Sequence, residues 1–257
     1  MRNLSDQVAL VTGASRGIGA EVAKGLAACG ARVVVSARKL RDAERSAQAI
    51  IAKGGTAEAV VCDVTDYESV RSAVSYCEVR YGRLDILVNN AGVIDPIARL
   101  SDSDPELWAS AVDVNVKGVY FGIRAATGIM LKQGAGTVIN MSSGAANSIL
   151  EGWSHYCSTK SAVKKLTECA HKELFEQGIS VIGLSPGTVA TDMMKKIRDS
   201  GINPVSQLDW SSHISAHSVG EAVVYLCTPA ARDLSGTDFS LKTEEGRRRV
   251  QASAQSE

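Results

Sequence analysis

The sequence predicts an α/β fold, a single open, doubly wound parallel sheet with helices on both faces. Three observations predict it. Short β-branched runs recur along the 257-residue chain. Helix-length amphipathic stretches separate them. The runs are apolar throughout rather than alternating apolar with polar, as in strands buried on both faces. Strand, helix, strand repeated in this way implies right-handed crossovers and a parallel sheet.

The first strand is read at Val8-Ala9-Leu10-Val11 and the second at Arg32-Val33-Val34-Val35-Ser36. Ala59-Val60-Val61-Cys62 and Ile86-Leu87-Val88-Asn89 follow as the third and fourth. Thr137-Val138-Ile139-Asn140-Met141 and Ser180-Val181-Ile182-Gly183-Leu184 are the fifth and sixth. Helices are expected at roughly 17–29, 42–53, 66–80, 105–131 and 154–177. In the last, Val163, Leu166, Ala170 and Leu174 recur at the helical spacing of three or four residues. The order breaks after Pro186. Residues 188–217 show no clear period, which predicts an irregular insert acting as a lid or binding loop. The tail, opening Arg247-Arg248-Arg249, reads as a solvated, frayed end. The expected organisation is therefore one domain over 1–246, with 188–217 as its insert, and a flexible 247–257.

Composition narrows the function. Hydrophobic residues make up 45% and charged residues 22%, enough for a sizeable core. Lys+Arg and Asp+Glu both number 28, so the basic excess of a nucleic-acid binder is missing. No apolar run approaches the roughly 18 residues that span a bilayer. Met1 to Gln7 has no apolar segment behind its charge, so no secretory signal is expected and a cytoplasmic setting follows. The six cysteines form no C-x-x-C pair and read as reduced, mostly buried thiols. The four histidines form no metal pattern, so no metal is expected.

Four constellations carry chemistry. Thr12-Gly13-Ala14-Ser15-Arg16-Gly17-Ile18-Gly19 follows the first strand and opens a helix. Glycines there let the backbone approach a pyrophosphate, and the helix start favours its charge. The spacing G-x-x-x-G-x-G differs from both G-x-G-x-x-G and the P-loop. At the tip of the second strand stands Ser36-Ala37-Arg38, with no acid to hold a ribose 2′-hydroxyl. Arg38 and Arg16 are instead suited to a 2′-phosphate, so NADP(H) is preferred over NAD(H). The alternative is two surface arginines on loops.

Tyr156 and Lys160 stand four residues apart at a helix start and share a face. A free tyrosine titrates near about 10, too high for proton transfer at neutral pH, and a nearby ammonium lowers it. Ser142-Ser143 ends the fifth strand, where ligands bind in open α/β sheets. Either hydroxyl can meet a substrate oxygen beside the tyrosine. Asn115 lies inside the expected helix 105–131, where an amide is slightly unfavourable. It either holds a water that links the lysine to solvent or caps a local bend.

Taken together these residues resemble the short-chain dehydrogenase/reductase family, in its single-domain, Rossmann-like branch. The likeness runs from about Ser5 to Asp192. Thr12 to Gly19 matches the family's T-G-x-x-x-G-x-G. Asp63-Val64 matches the acidic residue near the adenine ring. Asn89-Asn90-Ala91-Gly92 matches N-N-A-G, which supports the cofactor wall. Asn115, Ser143, Tyr156 and Lys160 match the catalytic tetrad, and the family's spacing before the tyrosine selects Ser143 over Ser142. Pro186, Gly187, Val189 and Thr191 fall in the segment that meets the nicotinamide carboxamide and the pyrophosphate.

The resemblance implies reversible hydride transfer between nicotinamide and a ketone or secondary alcohol. Tyr156 is then the general acid/base and Ser143 a partner of the same substrate oxygen. Lys160 tunes the tyrosine and holds the nicotinamide ribose, and Asn115 places a relay water. It also implies a homodimer or homotetramer. Ile94, Asp95, Leu150, Trp153, Met193 and Met194 are expected around the substrate, and being mostly apolar they favour an uncharged ketone or secondary alcohol over a sugar phosphate. The alternatives are an NAD-dependent alcohol dehydrogenase of the same family and a catalytically silent cofactor-binding protein. One segment departs from the family. Where many relatives end their last strand in a V-D-G-G-like turn, this chain reads Leu234-Ser235-Gly236-Thr237-Asp238-Phe239-Ser240-Leu241-Lys242, and a strand over Asp238 to Leu241 is expected to survive while the turn differs.

Overall fold

The apolar runs become strands because the fold buries both of their faces. The computed structural model describes residues 3–255. Seven strands form: β1 (Val8–Val11), β2 (Arg32–Ala37), β3 (Thr56–Val61), β4 (Ile86–Asn89), β5 (Gly136–Met141), β6 (Ile179–Ser185) and β7 (Asp238–Ser240). They lie in one parallel sheet in the order β3-β2-β1-β4-β5-β6-β7. Along β1, Ala9 and Val11 enter one core while Val8 and Leu10 enter the other. Alternate residues thus feed opposite faces, yet both faces are apolar.

The first helices are α1 (Gly17–Ala28), α2 (Leu40–Ile51), α3 (Tyr67–Tyr81), α4 (Pro105–Val112) and α5 (Gly118–Gln133). They are followed by α6 (Ser154–Leu174), α7 (Asp192–Ser200), α8 (Ala216–Leu226) and α9 (Glu244–Gln255). The chain builds β1, β2 and β3 outward on one side, then returns to set β4 on the other side of β1. The crevice at this reversal, beyond the carboxyl ends of β1 and β4, is where such sheets bind ligands. Among the described residues no helix is long and apolar enough to cross a membrane.

Three expectations need correction. The helix expected over 105–131 is interrupted. Asp104 caps α4, accepting from Glu106 N at 2.8 Å and Leu107 N at 3.1 Å. A π-helical turn at Asp113–Lys117 then widens the spiral, and Gly118 N–H bonds back to Asp113 O. This turn faces Asn115 fully inward; such bulges recur at functional sites.

The insert 188–217 is not irregular. It contains α7, which buries Met194 and Ile197 and turns its lysines outward. Two short 3₁₀ turns, Pro204–Gln207 and Trp210–Ser212, follow, and α8 begins at Ala216. Nor is the tail after Gly246 frayed. It continues as α9 to Gln255, with Val250 in the core under α8 and Arg249 paired to Asp233 at 2.6 Å. Residues 256 and 257 of the expected flexible tail lie outside the described residues.

Candidate active site

The glycine turn between β1 and α1 is shaped by close approach. Gly13 has φ +62°, and a Cβ there would stand 2.9 Å from Ala91 Cα. At Gly19 a Cβ would stand 2.4 Å from Asn90 Nδ2. The same Asn90 amide donates to Thr12 O at 2.8 Å and Gly13 O at 3.2 Å. The N-N-A-G segment after β4 is thus stitched onto the glycine turn after β1. No side chain caps α1, so its first N–H groups face the crevice without a side-chain acceptor.

These residues line one cleft of about 670 Å³. Gly13, Ser15, Arg16, Gly17, Ile18 and Gly19 form one end. Arg38, Asp63 and Val64 lie off β2 and β3, Asn90, Ala91 and Gly92 off β4, and Pro186, Gly187, Val189 and Thr191 off β6. Arg16 and Arg38 are exposed, and neither forms an ion pair among the described residues. The Asp63 carboxylate is held by Thr65, whose N–H and hydroxyl donate at 3.0 and 2.8 Å. A glycine-walled crevice with open helix-start donors and two exposed guanidinium groups fits a phosphorylated dinucleotide.

The other end of the cleft is set by β5 and α6. Tyr156 and Ser143 both line the cleft, and the Ser143 hydroxyl acts on the Tyr156 phenol. Lys160, on the next turn, is buried, and its Nζ donates to Met141 O at 2.6 Å. Nζ lies 5.6 Å from the Tyr156 ring centre. Burial pushes the Tyr156 phenol above its ordinary range, with the Ser143 hydroxyl pulling the other way. Burial also brings Lys160 down to about 8 from 10.5. The protein's own environment therefore keeps the phenol protonated.

Asn115 does not line the cleft. Its Oδ1 accepts from Val93 N at 2.9 Å, and its Nδ2 donates to Val93 O at 2.9 Å and Thr159 Oγ1 at 3.2 Å. Both amide protons are committed, and one Oδ1 lone pair remains. Gly92 sits between that oxygen and Lys160: a Cβ there would be 3.4 Å from Oδ1 and 3.9 Å from Nζ.

All six expected substrate residues border the cleft near Tyr156. Ile94, Trp153, Met194, Ile197 and Ala145 pack as a small apolar cluster separate from the two main cores, with Leu150 and Met193 against it. Sequence reasoning missed Ile197, one helical turn past Met194 on α7. It also missed Lys196, which pairs with Asp95 at 2.6 Å across the rim, and Lys242, beside Gly187. The helical period of Met193, Met194 and Ile197 was the available signal. The sequence reading gives Asp238 a strand and no role, although aspartate is depleted from strands.

A family model described as short chain dehydrogenase matches residues 7–201. The chain is 35% identical over 246 residues to a 3-oxoacyl-[acyl-carrier-protein] reductase of Synechocystis sp., covering 94% of this chain and 97% of that one. It is 37% identical over 195 residues to a gluconate 5-dehydrogenase of Gluconobacter oxydans, 76% of each chain. Its fold superposes with TM-score 0.86 on the crystal structure of a gluconate 5-dehydrogenase from Burkholderia cenocepacia in complex with NADP and tartrate. That pair is 30% identical, covering 93% of this chain and 95% of the other. The chain belongs to the short-chain dehydrogenase/reductase family and is an oxidoreductase of that family.

Proposed function

We propose that the protein is an NADP(H)-dependent ketoreductase or alcohol dehydrogenase acting on CH–OH groups. The observation that carries this reading is that Ser143, Tyr156 and, one turn on, Lys160 line the same cleft as the glycine turn, with Lys160 Nζ 5.6 Å from the Tyr156 ring centre. Bound nicotinamide supplies or accepts the hydride. The chain's residues manage the proton. In reduction Tyr156 donates its hydroxyl proton to the substrate carbonyl oxygen, and the phenolate left behind is held by the Ser143 hydroxyl and the Lys160 ammonium. Ser143 donates to the same substrate oxygen and fixes its position. The remaining Asn115 lone pair is an acceptor for a water that returns a proton toward Lys160.

Gly13, Ser15, Arg16, Gly17, Ile18 and Gly19 are assigned to the pyrophosphate end. Arg16 and Arg38 are assigned to the 2′-phosphate, which makes NADP(H) the preferred cofactor. The NADP in the Burkholderia relative supports this choice. Asp63 and Val64 flank the adenine, Asn90, Ala91 and Gly92 form the wall, and Pro186, Gly187, Val189 and Thr191 cover the nicotinamide side. The apolar cluster around Tyr156 supports a small carbonyl or alcohol substrate with an apolar flank. A homodimer or homotetramer is assigned as the family resemblance implies. The assigned setting is the cytoplasm.

Titrating the protein with NADPH and NADH, then assaying the tighter cofactor against a carbonyl panel, tests the reading. Turnover with NADPH preference is expected. Phenylalanine at position 156 should abolish turnover and leave NADPH affinity nearly unchanged. Turnover retained in Tyr156→Phe would remove the tyrosine from its role, and NADH preference would remove the arginines from theirs.

A further inference from the structure

The segment that departs from the family's C-terminal turn puts a carboxylate behind the proton-handling group. Asp238 opens β7, and its backbone pairs in register with Gly183 of β6. Its side chain reaches across two strand ends. Ser142 Oγ donates to Asp238 Oδ2 at 3.1 Å. Ser185 Oγ lies 3.0 and 2.9 Å from the two carboxylate oxygens. Gly183 leaves the room: a Cβ there would stand 3.0 Å from Asp238 Oδ1. The pocket for this carboxylate is therefore built by three strands.

That pocket adjoins the Tyr156–Lys160 pair. Ser142 is flanked by Met141, whose carbonyl accepts from Lys160 Nζ, and by Ser143, which lines the cleft with Tyr156. We propose that Asp238 is a positioning residue for the proposed reaction, holding Lys160 as an ammonium against its burial and fixing the Met141–Ser143 strand end. The inference rests on the proton-transfer reading given above.

The surroundings of Lys160 single out this carboxylate. Tyr156 lies one turn back on α6, uncharged as a phenol. The π-helical turn contributes the neutral Asn115, β5 the Met141 carbonyl, and the segment after β4 only Gly92. Asp238 on β7 is the carboxylate that favours the lysine's charged form. Lys164, a further turn along α6, also acts on Asp238. Burial raises Asp238, while the Ser185 and Ser142 hydroxyls favour its ionised form.

The test is a direct titration of Lys160 in protein labelled with ¹³C at lysine Cε, followed by NMR. The resonance is assigned by its loss in Lys160→Arg. Asp238→Asn preserves shape and removes the charge. The Lys160 midpoint should fall by about half a unit or more, since a lost neighbouring carboxylate disfavours the ammonium. The alkaline limb of reductive kcat/KM should move the same way. An unmoved midpoint overturns the proposal, even if activity drops. If Asp238→Asn does not fold, Ser185→Ala serves. It weakens the hold on the ionised carboxylate, so a smaller downward shift is expected and no shift overturns the proposal. Failure of the hydride-transfer reading shows separately, as wild-type protein without turnover on any carbonyl while the titration still responds to Asp238.

Discussion

Ser142 donates to Asp238 at 3.1 Å, whereas its neighbour Ser143 sets its hydroxyl to act on the Tyr156 phenol. The strand alternation of β5 continues for one residue past its end and turns the two hydroxyls apart. Only one of them is available to a substrate oxygen at the tyrosine.

Alanine at the two positions should therefore give unequal losses. Ser143→Ala removes a donor to the reacting oxygen, and losses of about 10²-fold in kcat are typical for such a donor. Ser142→Ala should cost far less in kcat. Steady-state kinetics of both variants on one ketone checks this. Equal losses would mean that the serine pair acts as a structural unit.

Much of this division was legible in the chain and part was not. β1 and β4 appear where their apolar runs end, because a strand buried on both faces carries its boundaries in composition. The glycine turn, the Tyr156–Lys160 spacing and the arginines at the cofactor end all lie in local sequence. Asn115 had to be placed inside one long helix. Its inward aim comes from the π-helical turn, which arises from tertiary packing and leaves no period of its own. α7 was missed because its nine residues fully bury only Met194 and Ile197, and its charged residues face water. α9 was missed because its charged face dominates the sequence, while Val250 and the Arg249–Asp233 pair hold it to the fold. Asp238 could not be read because its partners lie 53 and 96 residues away.

Cofactor choice should rest on Arg16 and Arg38. Both are exposed and neither lies in an ion pair among the described residues, although Asp192 feels the charge of Arg16. A hydrogen bond to a charged group contributes about 1.5–3 kcal/mol. Alanine at either position should thus weaken NADPH by roughly 10-fold or more and leave NADH nearly unchanged. Fluorescence titration of both cofactors gives the ratio. Parallel loss of the two cofactors would assign the arginines to the pyrophosphate instead.

Lys160 should cost the fold stability that the reaction needs. In the folded protein its pKa is about 8, against 10.5 for the free side chain. The unfolded chain then binds the proton more tightly, so the penalty is fully present below pH 8. It fades as pH rises from about 8 to 10.5. A displacement of this size corresponds to about 3 kcal/mol. Losing the hydrogen bond to Met141 O offsets about 1 kcal/mol of the gain. Lys160→Met should therefore melt at a higher temperature than the parent at pH 7, and the difference should shrink or reverse near pH 10. The same substitution should abolish turnover, since the phenolate loses its ammonium. Thermal unfolding from pH 6 to 10 measures the effect. A variant less stable at pH 7 would show that the buried lysine stabilises the strand end more than its burial costs.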